Sequence, residues 1–74
     1  MPLVKVNMIE GVFTPAQKKE MIRQLSDVVV SIGGENIRPV TWVVLEEVKS
    51  GEWGIGGNAL TTADVNALIA GPKA

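Results

Sequence analysis

The first nine residues, MPLVKVNMI (residues 1–9), decide the fold of this chain. From Leu3 to Ile9 side chains alternate between two faces, which predicts a β-strand that begins almost at the terminus. One face is apolar and consists of Val4, Val6 and Met8. The other face is mixed and consists of Leu3, Lys5, Asn7 and Ile9. A mixed face of this kind suits contact with another subunit better than contact with water.

Pro2 lies one bond inside the terminus, at the start of this strand. Once Met1 is removed, its nitrogen becomes a free secondary amine. The sequence contains no His and no Cys, the usual groups for acid–base or nucleophilic chemistry near neutral pH. An α-amino group titrates at about 7.7–8.0, so we expect any proton chemistry to use Pro2. Considered alone, a proline at a strand start is equally compatible with a structural role, because its missing N–H costs little there.

Glu10-Gly11 ends the strand, and Thr14-Pro15-Ala16-Gln17 predicts a helix start with a capping box. The predicted buried stripe of the helix consists of Met21, Ile22, Leu25, Val28, Val29 and Ile32. Gly33-Gly34 ends the helix, and a second strand is predicted over Val40–Val48. Strand, helix and strand predict a βαβ unit with parallel strands.

The second predicted strand leaves one sheet face open, and this face carries Trp42 and Val44. Pairing two such units would give a four-stranded sheet with helices on one side. The chain has only 74 residues, and 46% of them are hydrophobic. It has no cysteines, so no disulfide can stabilise its small core. We therefore expect a homo-oligomer.

The segment Trp53-Gly54-Ile55-Gly56-Gly57 contains three glycines in five residues and predicts a short hairpin that seats Trp53 against a neighbouring subunit. It lacks the lysine and the strand-to-helix setting of a phosphate-binding loop. Thr61 starts a second, shorter helix that Gly71-Pro72 ends. The apolar stripe of this helix is Val65, Leu68 and Ile69, and we expect it to dock on the oligomer. Residues 1–74 are expected to form a single domain.

Charge and composition exclude several classes of partner. The net charge is −1 with both signs interspersed, and aromatic residues make up 4% of the sequence, so we expect no binding of nucleic acid. No apolar stretch reaches the roughly 18 residues of a membrane span, so we expect no membrane partner. The N-terminus lacks a basic region followed by an apolar run, which favours a cytoplasmic location. No Cys/His set predicts a metal site.

The order and spacing of these motifs resemble the 4-oxalocrotonate tautomerase family, from Pro2 to about Gly57. The similarity is carried by Pro2 after Met1, by the strand end Glu10-Gly11, by Gln17-Lys18 in the first helical turn, and by Gly51-Glu52-Trp53-Gly54-Ile55-Gly56-Gly57. The last of these is similar to the family's Gly-x-Phe-Gly-Ile-Gly-Gly.

The resemblance implies a βαβ protomer in the α/β (α+β) class, assembled as a trimer or as a hexamer of three dimers. It implies that Pro2 is the general base that moves a proton in the keto–enol system of a small 2-oxo or enol acid, without metal or cofactor. It also implies that Trp53 lines the pocket beside Pro2. An apolar wall would lower the pKa of the Pro2 amine towards the operating pH. The expected wall consists of Leu3, Ile9, Trp42, Trp53 and Ile55.

Two positions depart from the family's best-known members. Those members place an arginine just after the strand-ending glycine to bind a substrate carboxylate, where this chain has Val12-Phe13 in a loop one residue longer. They place a second arginine in the second strand to polarise the substrate oxygen, where this chain has Trp42. Arg38 and Lys5 are the candidate replacements. Because an arginine holds a carboxylate through a bidentate pair, its absence favours an aromatic or monoanionic enol over a dicarboxylate.

The candidate site therefore consists of Pro2 as the catalytic residue and of Val12, Phe13, Arg38, Trp42 and Trp53 as substrate-binding residues. Two other functions remain open at this point. One is a related proline-based dehalogenation, hydration or decarboxylation. The other is a non-catalytic oligomeric scaffold or binding protein that keeps the fold without the chemistry.

Overall fold

The computed structural model describes residues 1–72, in the order strand, helix, strand, hairpin and helix. The elements are β1 (Leu3–Ile9), α1 (Pro15–Gly33), a 3₁₀ helix (Glu35–Val40), β2 (Trp42–Val48), β3 (Trp53–Ile55), β4 (Asn58–Leu60) and α2 (Thr62–Ala70). This order confirms the predicted α/β (α+β) class, a βαβ unit followed by a hairpin and a short helix. Residues 73 and 74, which the single-domain prediction includes, lie outside the described range.

The central pairing is parallel, as predicted, and its register starts with Leu3 of β1 opposite Trp42 of β2. Two backbone hydrogen bonds continue the ladder beyond the strands. The Trp42 N–H donates to the Pro2 carbonyl at 2.9 Å, and the Glu10 N–H donates to the Val48 carbonyl at 2.8 Å. Because parallel strands need a long crossover, α1 returns the chain from the end of β1 to the start of β2 and packs against β2.

The predicted capping box at the start of α1 is present. The Thr14 hydroxyl accepts a hydrogen bond from the Gln17 N–H at 3.1 Å, and the Gln17 side-chain oxygen accepts one from the Thr14 N–H at 2.9 Å. The helix ends at Gly34, whose φ of 98° favours glycine. A Cβ at Gly33 would overlap the terminal methyl group of Ile37, which would have to shift to make room.

The buried face of α1 differs from the predicted stripe. Val30, which the stripe leaves out, is 5% exposed, whereas Val28 is 57% and Ile32 is 86% exposed. Leu25 and Val29 are half-buried, as the stripe predicts for core residues at the edge of a small sheet. Within a run of three consecutive valines, spacing alone does not select the buried position, and the sheet beneath α1 decides it. The prediction that Ile22, Val28 and Ile32 belong to the core is wrong for the single protomer.

The second strand starts at Trp42, whereas the sequence predicts a start at Val40. The preceding residues form the 3₁₀ helix, and Thr41 closes it. The Thr41 hydroxyl donates to the Ile37 carbonyl at 2.8 Å, and the Thr41 N–H donates to the Arg38 carbonyl at 3.2 Å. These bonds hold the chain in a tight turn up to the first residue of β2, so the strand loses its two predicted leading residues.

The predicted C-terminal hairpin and second helix are both present. β3 and β4 pair antiparallel, with Trp53 opposite Leu60. Gly56 and Gly57 form the two-residue loop with φ of 58° and 84°, the positive values that a type I′ turn requires at both positions. Thr61 caps α2 as predicted. Within residues 1–72, no helix combines the length and the apolar character of a membrane span.

The protomer leaves much of its apolar surface uncovered. Its only buried residues within 1–72 are Met8, Ile9 and Val30, and each keeps 5–6% of its surface exposed. Its accessible surface is 5448 Å², against about 4,400 Å² for a compact monomer of this mass. Its radius of gyration is 15.3 Å, against about 11 Å for a compact domain of this length. A single copy is therefore less compact than a monomeric domain of this length and mass.

The corrected core of α1 gives a direct test. Val30→Ala should lower the free energy of unfolding by about 1–3 kcal/mol, because it opens a cavity between α1 and the sheet. The matched control Ile32→Ala removes a larger side chain that the protomer leaves exposed. Chemical denaturation at several protein concentrations measures both changes. An Ile32→Ala cost that equals the Val30→Ala cost at every concentration would restore the predicted stripe.

Candidate active site

Pro2 lies at the start of β1, in an apolar part of the surface. Its carbonyl is fixed by the Trp42 N–H, and Leu3 lies opposite Trp42 on the open face of the sheet. The side chains of Met1, Leu3 and Trp42 are all exposed, and Val40 at the end of the 3₁₀ helix is exposed as well. The residue proposed as the base is thus held by the sheet ladder and surrounded by apolar groups that a single protomer does not cover.

An apolar groove lies at the opposite end of the sheet, with a volume of about 390 Å³. It lies between the end of β1, the loop after it, the hairpin and α2. The groove residues are Met8, Ile9, Val12, Phe13, Trp53, Ile55, Leu60, Val65, Leu68 and Ile69. Three predicted substrate-binding residues, Val12, Phe13 and Trp53, therefore share one cavity.

The predicted site is split between the two ends of the protomer. Pro2, Trp42 and Arg38 lie where the strands start, whereas Val12-Phe13 and Trp53 lie beyond where they end. The seven residues of β1 separate the two groups by about 20 Å at 3.3 Å per residue. Pro2 and Trp53 therefore do not face one another within one copy of the chain.

Arg38 is held by carboxylates of its own chain. Its guanidinium donates to Asp27 at 2.8 Å and to Glu35 at 2.6 Å, bridging α1 and the 3₁₀ helix. The hydrogen bonds that Arg38 donates to Glu35 and Asp27 raise the pKa of Arg38, and the bond to Glu35 lowers the pKa of Glu35. A substrate carboxylate would have to displace both partners before Arg38 bound it.

Lys5, the other candidate replacement, is also paired. Its ammonium group lies 3.0 Å from the Glu46 carboxylate on the open face of the sheet, and Glu46 also accepts a hydrogen bond from Asn7 at 3.3 Å. Both cations near the start of the strands are therefore engaged by acidic side chains of the same chain. Within residues 1–72, no group of three His, Cys, Asp or Glu is placed to hold a metal ion.

A carboxylate also fixes the corner that leads into the groove. Glu47 accepts hydrogen bonds from the Lys18 ammonium at 2.7 Å and from the Gly11 N–H at 3.3 Å. These two bonds lower the pKa of Glu47, with Lys18 the larger cause. Gly11 has a φ of 75°, so glycine suits the corner that turns β1 towards Val12-Phe13.

A second set of hydrogen bonds attaches α2 to the same corner. The Thr62 hydroxyl donates to the Glu10 carbonyl at 2.6 Å, and the Thr62 N–H donates to the Ser50 hydroxyl at 2.9 Å. The Ser50 N–H donates in turn to the Glu10 carboxylate at 3.1 Å. A Cβ on Gly11 would lie 3.2 Å from the Thr62 methyl group, so the two segments are close-packed.

Sequence reasoning missed Met8, Leu60 and the α2 stripe as groove residues, and it missed the bonds of Glu47 and Thr62. The spacing of Val65, Leu68 and Ile69 correctly predicts an apolar face on α2, yet it does not show what that face covers. The adjacent Thr61 and Thr62 were a usable signal, because a helix needs only one of them as its cap.

The family model described as "Tautomerase enzyme" matches residues 2–63, from Pro2 to the start of α2. The chain belongs to the tautomerase family. Its curated relative "Probable tautomerase K2" from Dickeya dadantii (strain 3937) is 34% identical over 61 residues, which cover 82% of this chain and 90% of the relative. Membership places the chain among tautomerase enzymes.

Solved structures agree with this assignment. A 4-oxalocrotonate tautomerase homologue is 31% identical, with a TM-score of 0.70 over 86% of this chain and 95% of its own. The structure of DmpI from Helicobacter pylori is 28% identical, with a TM-score of 0.69 over 80% of this chain and 95% of its own. The predicted resemblance and the predicted tautomerase-like fold are both confirmed.

The hydrogen bond from the Gly11 N–H to the Glu47 carboxylate should depend on pH. The pKa of Glu47 is lower in the folded state than in the unfolded state. The ionised carboxylate therefore stabilises the fold fully when the pH is above the pKa of the unfolded state. This stabilisation is lost as the pH falls through the lower pKa of the folded state. The Gly11 amide resonance should therefore titrate with a midpoint below 4.5. NMR titration measures this, with Glu47→Gln removing the transition and Glu46→Gln, on the other sheet face, retaining it. A Gly11 midpoint at or above 4.5 in the unaltered chain would contradict the assigned bond.

Proposed function

We propose that this chain is a cofactor-independent tautomerase that uses Pro2 as its general base after removal of Met1. The substrate class is a small 2-oxo or enol acid. The observation that carries the proposal is the place of Pro2: it is the first residue of the family match, and it lies at the exposed start of β1 among apolar side chains.

The chemistry needs only one group that both accepts and returns a proton. A free Pro2 amine takes the proton from the enol oxygen, and the C–O bond becomes C=O. The π electrons of the C=C bond form a new C–H bond with the proton that the ammonium returns, so atoms and charge balance. Apolar neighbours such as Leu3 and Trp42 would disfavour the cationic form of the amine once a second copy of the chain covers them. A base whose pKa lies near the operating pH transfers protons most effectively in both directions.

The site is proposed to form between subunits. β1 and β2 run in the same direction and both have a free edge. If either edge pairs antiparallel with a second copy, the start of one sheet lies beside the end of the other. A two-fold contact of this kind brings Pro2 of one protomer to the groove of the next, where Trp53 lies. The approximately 20 Å between them in a single protomer supports such an arrangement.

The proposed assembly is a homo-oligomer, as a hexamer of three dimers or as a trimer, with one domain per chain. The excess accessible surface and the exposed side chains of Leu3 and Trp42 support further contacts on the open face of the sheet. Lys5, Glu46 and Asn7 lie on the same face and would take part in this contact.

The proposed substrate is a monoanion rather than a dicarboxylate. Val12 and Trp42 occupy the positions where the family's best-known members have arginines, and Arg38 is engaged by two carboxylates. Two substrate carboxylates would therefore meet few free cations near Pro2. One carboxylate at the open mouth of the site, in contact with water, needs less compensation.

Blocking the Pro2 nitrogen tests the base. A form with a removable extension before Pro2 keeps the pyrrolidine ring but converts the amine to an amide that cannot accept a proton. Its kcat/KM on the enol of a 2-oxo acid should be lower by about 100-fold or more, because general base catalysis contributes about 10²–10⁴. Cleavage to expose Pro2 should restore the rate.

Two controls complete this test. Pro15→Ala changes a proline at the first position of α1, away from the site, and should retain the rate. Circular dichroism and light scattering check that the blocked form keeps its fold and assembly. Equal background rates in the blocked and exposed forms would reject the proposal in favour of a non-catalytic scaffold of the same fold.

Mixing variants tests whether the site is shared. A Pro2-blocked chain and a Trp53→Ala chain should each be inactive alone. After joint unfolding and refolding at equal amounts, about a quarter of the unaltered activity should return, because half of the two-fold pairs are mixed and each contains one intact site. Steady-state kinetics on the mixture measures this. No recovery in a mixture whose mixed pairs are verified by native mass spectrometry would show that Pro2 of one chain and Trp53 of another do not share a site.

A further inference from the structure

The groove wall supplied by α2 lies outside the part of the chain that the family model matches. The match stops at residue 63, and α2 runs from Thr62 to Ala70. Val65, Leu68 and Ile69 come after the match and line the groove with Trp53. Membership of the family therefore does not explain what this helix does.

The chemistry of the groove restricts what it holds. All of its lining residues are apolar, and its volume of about 390 Å³ is that of a small-ligand pocket. An ionised carboxylate placed inside it would lose its hydration and gain no partner, which is strongly unfavourable. The groove is therefore suited to a hydrocarbon or aryl group and not to the charged end of a substrate.

The helix is attached firmly where it enters the groove. Thr62 bonds to the Glu10 carbonyl and to the Ser50 hydroxyl, and the Thr61–Asp64 capping box fixes the first turn. These contacts set the direction of α2 from the end of β1. The wall is thus positioned by polar bonds outside the groove, while its apolar side chains remain available for contact.

We propose that α2 is a specificity wall: Val65, Leu68 and Ile69, with Val12 and Phe13 opposite, bind the apolar substituent of a monoanionic enol substrate. This inference rests on the proposed function and deepens it. The carboxylate and the reacting carbons lie at the mouth, next to Pro2 of the neighbouring subunit, and the substituent enters the groove. Selectivity then comes from the size of the substituent rather than from a second charge.

Exposure at the outer part of the wall makes the test practicable. Leu68 is 72% and Ile69 61% exposed, so the double variant Leu68→Gln/Ile69→Gln changes the groove without removing core contacts. The matched control Val28→Gln/Ile32→Gln alters two exposed apolar residues of α1 that lie outside the groove. Light scattering gives the assembly state of each variant.

The kinetic measurement uses enols of 2-oxo acids with hydrogen, ethyl, butyl or phenyl at carbon 3. In the unaltered chain, kcat/KM should rise by up to about fourfold per buried methylene. The double variant should flatten this series, with a loss of kcat/KM that grows with the size of the substituent. The α1 control should retain the slope of the unaltered chain.

A binding measurement gives the same information without turnover. In a Trp42→Phe background, Trp53 is the only tryptophan, and it lies in the groove. Its fluorescence should respond to 3-phenylpropanoate and not to propanedioate. The α2 double variant should bind 3-phenylpropanoate with an affinity lower by about tenfold. A chain that binds in this way but shows no Pro2-dependent rate would reject the proposed catalysis and keep the apolar subsite.

Three results would overturn the specificity wall. The first is a series whose slope is unchanged in the α2 double variant. The second is an equal flattening in the α1 control, since the effect would then not belong to the groove. The third is loss of assembly in the α2 variant alone, which would assign Leu68 and Ile69 to a contact with a second copy of this chain.

Discussion

The parallel pairing of β1 with β2 is the constraint on which the rest of the structure depends. It requires a crossover, so α1 covers one face of the sheet and leaves the other open. It also gathers both strand starts at one end of the protomer and both strand ends at the other. Pro2 and the apolar groove consequently lie at opposite ends of the protomer, so the proposed catalytic site needs a second copy of the chain.

The charged side chains near the strand starts are arranged in pairs of opposite sign. Each cation near the strand starts is satisfied by an acidic neighbour: Lys5 by Glu46, and Arg38 by Asp27 and Glu35. These pairs are exposed and contribute little to stability. In the proposed site, these acidic neighbours would compete with a second substrate carboxylate for Lys5 and Arg38. Apolar contact is then the proposed main source of substrate discrimination.

Most of the fold could be predicted because its signals are local. The capping box at Thr14, the stop at Gly33-Gly34 and the glycine pair of the hairpin each determine their own element. The errors arose where a choice depended on distant packing. The run of valines in α1 did not indicate which of them is buried, and the structure buries Val30. Pro39 lies within the 3₁₀ helix, and its presence in the sequence did not predict the later start of β2. Candidate site residues could be identified from the sequence, but their arrangement could not. No sequence pattern indicates that Pro2 and Trp53 lie at opposite ends of the protomer.

The register of the sheet also sets an order of events during synthesis. Leu3 pairs with Trp42, so the first strand waits for 39 further residues before its partner exists. At about 5–20 residues per second this takes about 2–8 s. Throughout that interval β1 has no strand to pair with, so the central sheet cannot form. The long separation between its two strands therefore makes the sheet a later and slower part of folding than the local contacts of α1.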